Sequence, residues 1–190
     1  LEREFDLSLI ITSPNVIYRV QTPDGVWKLL DNPAKFPEHG DIKAIEEPYV
    51  LVTIVVSLSY QEGVLNLLKE RRGEQESIEY IAGEPLIIKY NLPLSEMVLN
   101  FYDRLKSISK GYASLDYVPI GYRFSDVLRL EILIHGDPVD ALSLIVHKAK
   151  AYDVGRNMCE KLKELLSRQN FEIAIKARNG GKINARETLS

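Results

Sequence analysis

The stretch DRLKSISKGYASLDY, residues 103–117, turns a helix into a strand around one glycine. Met97, Phe101, Leu105 and Ile108 recur at spacings of three and four, which lays one apolar stripe along a helix. Lys106 and Lys110 fall in its expected last turn, where positive charge complements the negative end of the helix dipole. Gly111 follows at the expected C′ position, which favours a left-handed residue with no Cβ to clash. After it the period becomes two. Tyr112, Ser114 and Asp116 take one side of a strand, and Ala113, Leu115 and Tyr117 take the other.

Working outward, residues 46–118 spell one order of elements. Tyr49–Leu58 is apolar and β-branched, as a well-covered strand requires. Val64, Leu67 and Leu68 mark a helix over 62–72, stopped by Gly73. Ser77–Ala82 and Leu86–Leu92 read as strands joined by the turn Gly83-Glu84-Pro85. Ser95 is the expected N-cap of the helix that runs to Lys110. The order is βαββαβ, a ferredoxin-like sandwich with both helices on one face and the other left for a partner.

The flanks read differently. The chain opens with Leu1 in mid-pattern, so it is expected to be a piece of something longer. Leu7–Ile11 and Val16–Val20 read as strand, Pro23-Asp24-Gly25 as a turn, and Trp27–Leu30 as an edge strand. Residues 31–41 carry two prolines and no apolar period, the mark of a linker. Beyond 122, Leu128, Leu130, Ile132 and Ile134 alternate with Arg129, Glu131 and Leu133, and Val139–His147 is the expected hairpin partner. Val154, Met158, Leu162, Leu165 and Leu166 mark an amphipathic helix. Phe171–Ala177 and Lys182–Thr188 read as strands around the turn Asn179-Gly180-Gly181. The expected class is α+β, a ferredoxin-like sandwich followed by a second small α+β domain.

Composition narrows the function. The chain is 45% hydrophobic and 27% charged, the balance of an ordinary globular protein. Its single cysteine, Cys159, excludes an internal disulfide, and a buried thiol is expected there. No apolar run is long enough to span a membrane, and no signal peptide is visible. The net charge of −3 is uneven. Residues 1–122 hold 12 Lys and Arg against 18 Asp and Glu, a net of −6, whereas 123–190 hold 12 against 9, a net of +3. A basic end on an acidic body points to an anionic partner.

Catalytic signatures are poor. Gly180-Gly181-Lys182 lacks the upstream glycine and the Ser or Thr of a phosphate-binding loop. His39, His135 and His147 have no ligand-spaced partners, so no metal is expected. Asp137 and Asp140 suit turn chemistry better than acid–base work. Lys110–Tyr117 nearly copies the stacking motif of RNA-recognition domains, but Ser114 stands where the central aromatic belongs. No nucleophile, base and orienter come together, so no catalytic residue is assigned.

DRLKSISKGYASLDY resembles the signature of the LepA family (elongation factor 4), translational GTPases related to elongation factor G. Glu47-Pro48, LKERRGEQ at 68–75 and GYASLDY are similar to the fifth domain the two share, and VDALSLIVHK (139–148), EKLKELLSRQNFEIAIKA (160–177) and GGKINARET (180–188) to the C-terminal domain of LepA. Ser167, Asn184 and Arg178-Asn179 depart from the family's habits. The resemblance implies the end of a third domain at 1–22, an edge strand and linker at 23–45, the fifth domain at 46–122 and the C-terminal domain at 123–190. It implies a cytoplasmic monomer that docks on the ribosome, with no DNA partner; peripheral association with the inner membrane is compatible with it. GTP and Mg2+ belong, in such proteins, to an N-terminal P-loop domain, and this fragment by itself is expected to hydrolyse nothing.

The implied role is back-translocation and fidelity of protein synthesis under stress. Its expected RNA contacts are Arg71, Arg72, Lys106 and Lys110 toward ribosomal RNA, and Lys148, Lys150, Arg156, Lys176, Arg178, Lys182 and Arg186 toward tRNA. The competing reading is a regulatory or protein-interaction module, since ferredoxin-like units serve many functions.

Overall fold

The computed structural model describes residues 16–37, 39–83, 85–166, 173–179 and 182–189. Leu1–Asn15, the expected end of an earlier domain and one of its strands, lie outside these. Glu46–Arg123 make one compact unit, and Tyr18–Ile45 belong with the chain from Phe124 onward in another. The latter opens with the hairpin of β1 (Tyr18–Gln21) and β2 (Trp27–Leu30), where Gly25 takes the left-handed turn position at φ 88. In the segment read as a linker, Phe36 is buried with its ring edge-on to Tyr18.

The other unit has the expected order. It comprises β3 (Ala44–Val56), α1 (Gln61–Glu70), β4 (Glu74–Tyr80), β5 (Leu86–Pro93), α2 (Leu94–Val98), α3 (Phe101–Ile108) and β6 (Ser114–Phe124). The strands lie β6-β3-β5-β4, so each helix carries the chain past a neighbouring strand, as in a split βαβ sandwich. Val50, Val52, Ile54 and Val56 of β3 and Leu86, Ile88, Tyr90 and Leu92 of β5 turn one face to the helices. Val64, Leu67 and Leu68 of α1 and Phe101 and Leu105 of α3 cover it, and the core is continuous.

Three local expectations are corrected. The helix read from Ser95 to Lys110 is broken into α2 and α3, with Asn100 between them in the left-handed region at φ 47. Ser95 therefore sits inside α2 and caps nothing. The stripe survives the break, since Met97 and Ile108 still pack on the core that Phe101 and Leu105 enter. At the other end, the left-handed C′ residue is Lys110, at φ 52, and Gly111 comes one place later. Its N–H reaches back to Lys106 O at 2.8 Å, the longer bond of a Schellman end. The helix stops a residue earlier than the position of the glycine suggests. Lastly, Val139–His147 is not one strand.

The second unit continues with β7 (Val127–Ile134), β8 (Asp137–Pro138) and β9 (Leu144–His147), then α4 (Ala151–Leu166), β10 (Ile173–Asn179) and β11 (Lys182–Leu189). A 3-10 turn at Asp140–Leu142 splits the expected strand and drops Leu142 into the core. The strands run β11-β10-β7-β8, with β9 also paired to β7. α4 lays Ala151, Met158, Cys159 and Leu162 on Leu130, Ile132 and Ala177. Gly155 permits the close approach, because a Cβ there would lie 2.9 Å from that of Ala177.

The break after α2 has a cause. Arg71, at the end of α1, donates from Nη1 to Leu99 O at 2.7 Å and Glu96 O at 3.2 Å, and from Nη2 to Asn100 Oδ1 at 2.7 Å. The first two are main-chain carbonyls of the kind a helix end leaves unsatisfied. Arg72, left-handed at φ 60, reaches Glu47 Oε1 at 2.7 Å and Oε2 at 3.2 Å, and Glu96 Oε1 at 3.2 Å. The Glu47 side chain is fully buried, and that of Glu96 is 9% exposed. Two cations and two carboxylates thus close on one another and tie α1, β3 and the α2–α3 break together.

Two expectations follow for urea unfolding. Phe101→Ala removes a fully buried ring and costs about 3–5 kcal/mol, while Leu29→Ala, on the exposed edge strand, stays within about 0.5 kcal/mol of the parent. Arg72→Ala strands the buried carboxylate of Glu47 and costs about 3–5 kcal/mol. Arg104→Ala, which loses only the exposed pair with Glu70, costs less than about 1 kcal/mol.

Candidate nucleic-acid interface

The cations expected to meet phosphate are sorted by the fold into different settings. Arg71 and Arg72 are turned inward, and this corrects their reading as phosphate contacts. Burial draws the Arg71 guanidinium below its ordinary pKa, against the opposing pull of Glu96. Burial acts on Arg72 in the same sense, but the hydrogen bonds and charges of Glu47 and Glu96 outweigh it and hold its pKa above the ordinary value. Both keep their charge, and both spend it on these carboxylates and on main-chain carbonyls.

Lys106 is also engaged. Its Nζ donates to Ala113 O at 2.7 Å and Gly111 O at 3.3 Å and lies 5.2 Å from the centre of the Tyr102 ring. Lys110 and Tyr112, on the turn that follows α3, are exposed.

The sheet of β7, β10 and β11 gathers a different set. Leu130, Ile132 and Ala177 face α4, so the alternation of a strand puts Arg129, Glu131, Lys176 and Arg178 on the opposite face. Arg178 stands opposite Glu131 in the register and donates to its Oε2 from Nε at 2.9 Å and Nη2 at 2.5 Å. Arg129 donates to the other oxygen, Oε1, at 2.6 Å and to Phe36 O at 3.0 Å. One carboxylate is thus held between two guanidiniums. In the backbone register of β10 and β11, Lys176 stands across from Arg186.

Lys148, Lys150 and Arg156 belong elsewhere. They lie on the 3-10 turn at Lys148–Lys150 and on α4, the element that packs on the core face of the sheet. Arg156, on the helix that covers the core face, does not join Lys176 and Arg178 on the opposite one. Arg156 pairs with Glu160 one turn on, and that hydrogen bond raises its pKa. The side chains of Lys182 and Arg186 lie outside the described residues. Arg129 is absent from the cations that sequence reasoning singles out, although its alternation with Leu128 and Leu130 carries the signal.

Lys182 opens a strand and not a helix, so the strand-to-helix junction of a phosphate cradle is missing at Gly180-Gly181-Lys182. Among the described residues no three His, Cys, Asp or Glu side chains are grouped to hold a metal ion, and no helix is long and apolar enough to cross a membrane.

Comparison with known proteins agrees with the order of the units. Residues 44–131 match the family model described as elongation factor G C-terminus, and residues 134–190 match that of the GTP-binding protein LepA C-terminus. The elongation factor 4 of Lawsonia intracellularis is 52% identical over 190 residues, which is all of this chain and 31% of that protein. Those of Chlorobium phaeobacteroides and Sorangium cellulosum are 48% and 49% identical, over 31% and 32% of their lengths. The chain therefore spans about a third of the length of the curated relatives it matches. With both models matched in sequence order and half of all positions shared along its whole length, the chain belongs to the LepA (elongation factor 4) family of translation factors and corresponds to that family's C-terminal region.

Proposed function

We propose that this chain is the ribosome-docking portion of a translation factor, and that the face of the β7–β10–β11 sheet turned away from α4 is its tRNA-binding surface. The observation that supports this most directly is the cationic face itself. Arg129, Arg178 and Lys176 share it, the two arginines gathered on the carboxylate of Glu131. Guanidiniums held by a carboxylate are pre-oriented forks, and exchanging part of that carboxylate's hold for a phosphate oxygen costs little reorganisation.

The ferredoxin-like unit contributes Lys110 toward ribosomal RNA in this reading, since Arg71 and Arg72 are withdrawn into their own ion pairs. The mechanism is one of placement, without bond making. GTP and Mg2+ act in the part of the factor that these residues do not span, in a cytoplasmic setting. The finer role, back-translocation and fidelity under stress, follows from the resemblance to the family and from nothing narrower.

The test is binding of the chain to tRNA and to ribosomes across a salt series. Replacing Lys176, Arg178 and Arg186 together with Gln is expected to weaken tRNA binding at least about tenfold. The same change should flatten the slope of log affinity against log salt by about 2–3, one step for each phosphate no longer neutralised. Replacing Lys28, Lys35 and Lys43 with Gln is expected to change both far less. Equal losses from the two triples, or binding that ignores salt, would remove the proposed surface.

A further inference from the structure

The turn between α3 and β6 is pinned more firmly than a link between a helix and a strand requires. Tyr112 N–H donates to Ser109 O at 3.1 Å, and Ala113 N–H donates to Ser109 Oγ at 3.1 Å. That hydroxyl, fully buried, in turn donates to Leu105 O at 2.8 Å. Lys106 Nζ fastens the same segment from outside through the carbonyls of Gly111 and Ala113. Ala113 is buried just after the turn and Leu115 packs on the core. Everything beneath Tyr112 is therefore fixed, while the residue itself is 81% exposed.

A second ring belongs to this site. Tyr102, one turn back along α3 from Lys106, is 50% exposed and lies against that residue's ammonium. Lys110 stands between the two tyrosines in the chain, exposed, in a left-handed conformation that costs a side-chain-bearing residue about 1–2 kcal/mol. At the end of α1, Arg72 adopts the same conformation and is compensated by Glu47 and Glu96. At Lys110 the return is in the backbone, the Gly111 N–H bond to Lys106 O at 2.8 Å, and the side chain is left in solvent.

We propose that Tyr102 and Tyr112, with the ammonium groups of Lys106 and Lys110, form a stacking platform for unpaired RNA bases. The proposal rests on the ribosome-docking reading and deepens it. A ring on a rigid mount loses little freedom when a base stacks on it, and every base offers a face, so such a platform is tolerant of sequence. Lys110, exposed and two residues before Tyr112, brings a positive charge for a flanking phosphate, while Lys106 stays on the carbonyls that fix the mount. A protein partner suits the site less well, because Asp103, Ser107 and Ser114 around the rings are exposed and polar, and an aromatic anchor for protein is ringed by groups that exclude water. The likeness of Lys110–Tyr117 to an RNA-stacking motif thus has a different geometry from the one that motif describes. The ring that stacks is on the turn before β6, and Ser114 merely opens the strand.

The chain has a single tryptophan, Trp27, so Trp27→Phe with Tyr112→Trp places one indole reporter at the tip. An unpaired A-rich RNA is expected to quench its fluorescence, whereas the same RNA in a duplex, or heparin at equal charge, is not. In the parent chain Tyr112→Ala is expected to weaken binding of the unpaired RNA about tenfold, with Tyr112→Phe close to the parent. Circular dichroism should show both variants folded, since the side chain supports no core. Quenching by heparin equal to that by RNA, or unaltered RNA binding by Tyr112→Ala, would overturn the platform. So would a Tyr112→Ala variant that loses ribosomes yet keeps the unpaired RNA, because that pattern belongs to a protein contact. If these fail while tRNA binding still depends on Lys176, Arg178 and Arg186, the platform alone is wrong; if the parent chain binds neither tRNA nor ribosomes, the docking reading falls as well.

Discussion

Four charges closed on one another set the limits of the rest. Glu47 is buried at the start of β3, and a carboxylate taken out of water costs several kcal/mol unless its partners replace the lost hydration. Arg72 supplies both hydrogen bonds of a guanidinium fork, and Glu96 balances what remains. Arg71 then binds the carbonyls that the end of α2 leaves open. The arrangement works only when complete, because any one member removed leaves a buried charge or buried carbonyls without partners. It also dictates what the surface can display. The most concentrated cationic pair of the sequence is consumed in holding helix ends, so whatever the unit offers to an anion must come from elsewhere.

The ends of α1 and α3 make the same point from the backbone. Each closes with a left-handed cation followed by a glycine, Arg72-Gly73 and Lys110-Gly111, and each returns an N–H from the glycine to a carbonyl five residues back. The local geometry is shared, but the destinations differ. Arg72 is directed to carboxylates within the fold, and Lys110 stays in solvent beside an exposed tyrosine. One device is spent on stability at one end of the helical layer, and at the other it leaves a cation outside.

The order of elements is legible because periodicity reports burial directly. Trp27–Leu30, the βαββαβ sequence and the alternation of β7 all follow from which positions are apolar. What stays hidden depends on contacts between distant residues. The stripe of Met97, Phe101, Leu105 and Ile108 is continuous, and nothing in it announces that Arg71 will take the carbonyls of Glu96 and Leu99 and split the helix. For the same reason Arg71 and Arg72 read as surface cations, since their partners lie some 24 to 29 positions away. Arg129 is the opposite case. Its pattern is visible, but its part in a cationic face emerges only when β10 brings Arg178 across from Glu131.

On the proposed reading, that face reconciles a net charge of −3 with a polyanionic partner. At physiological salt, charges more than about 8 Å apart are largely screened, so total charge says little about a contact. What matters is the sign within one screening length of the phosphates. Arg129 and Arg178 are locked to one carboxylate, and Lys176 shares their face of the sheet. A guanidinium already aimed by a carboxylate loses little freedom when it takes a further oxygen, so such a face owes more to local order than to the charge of the whole chain.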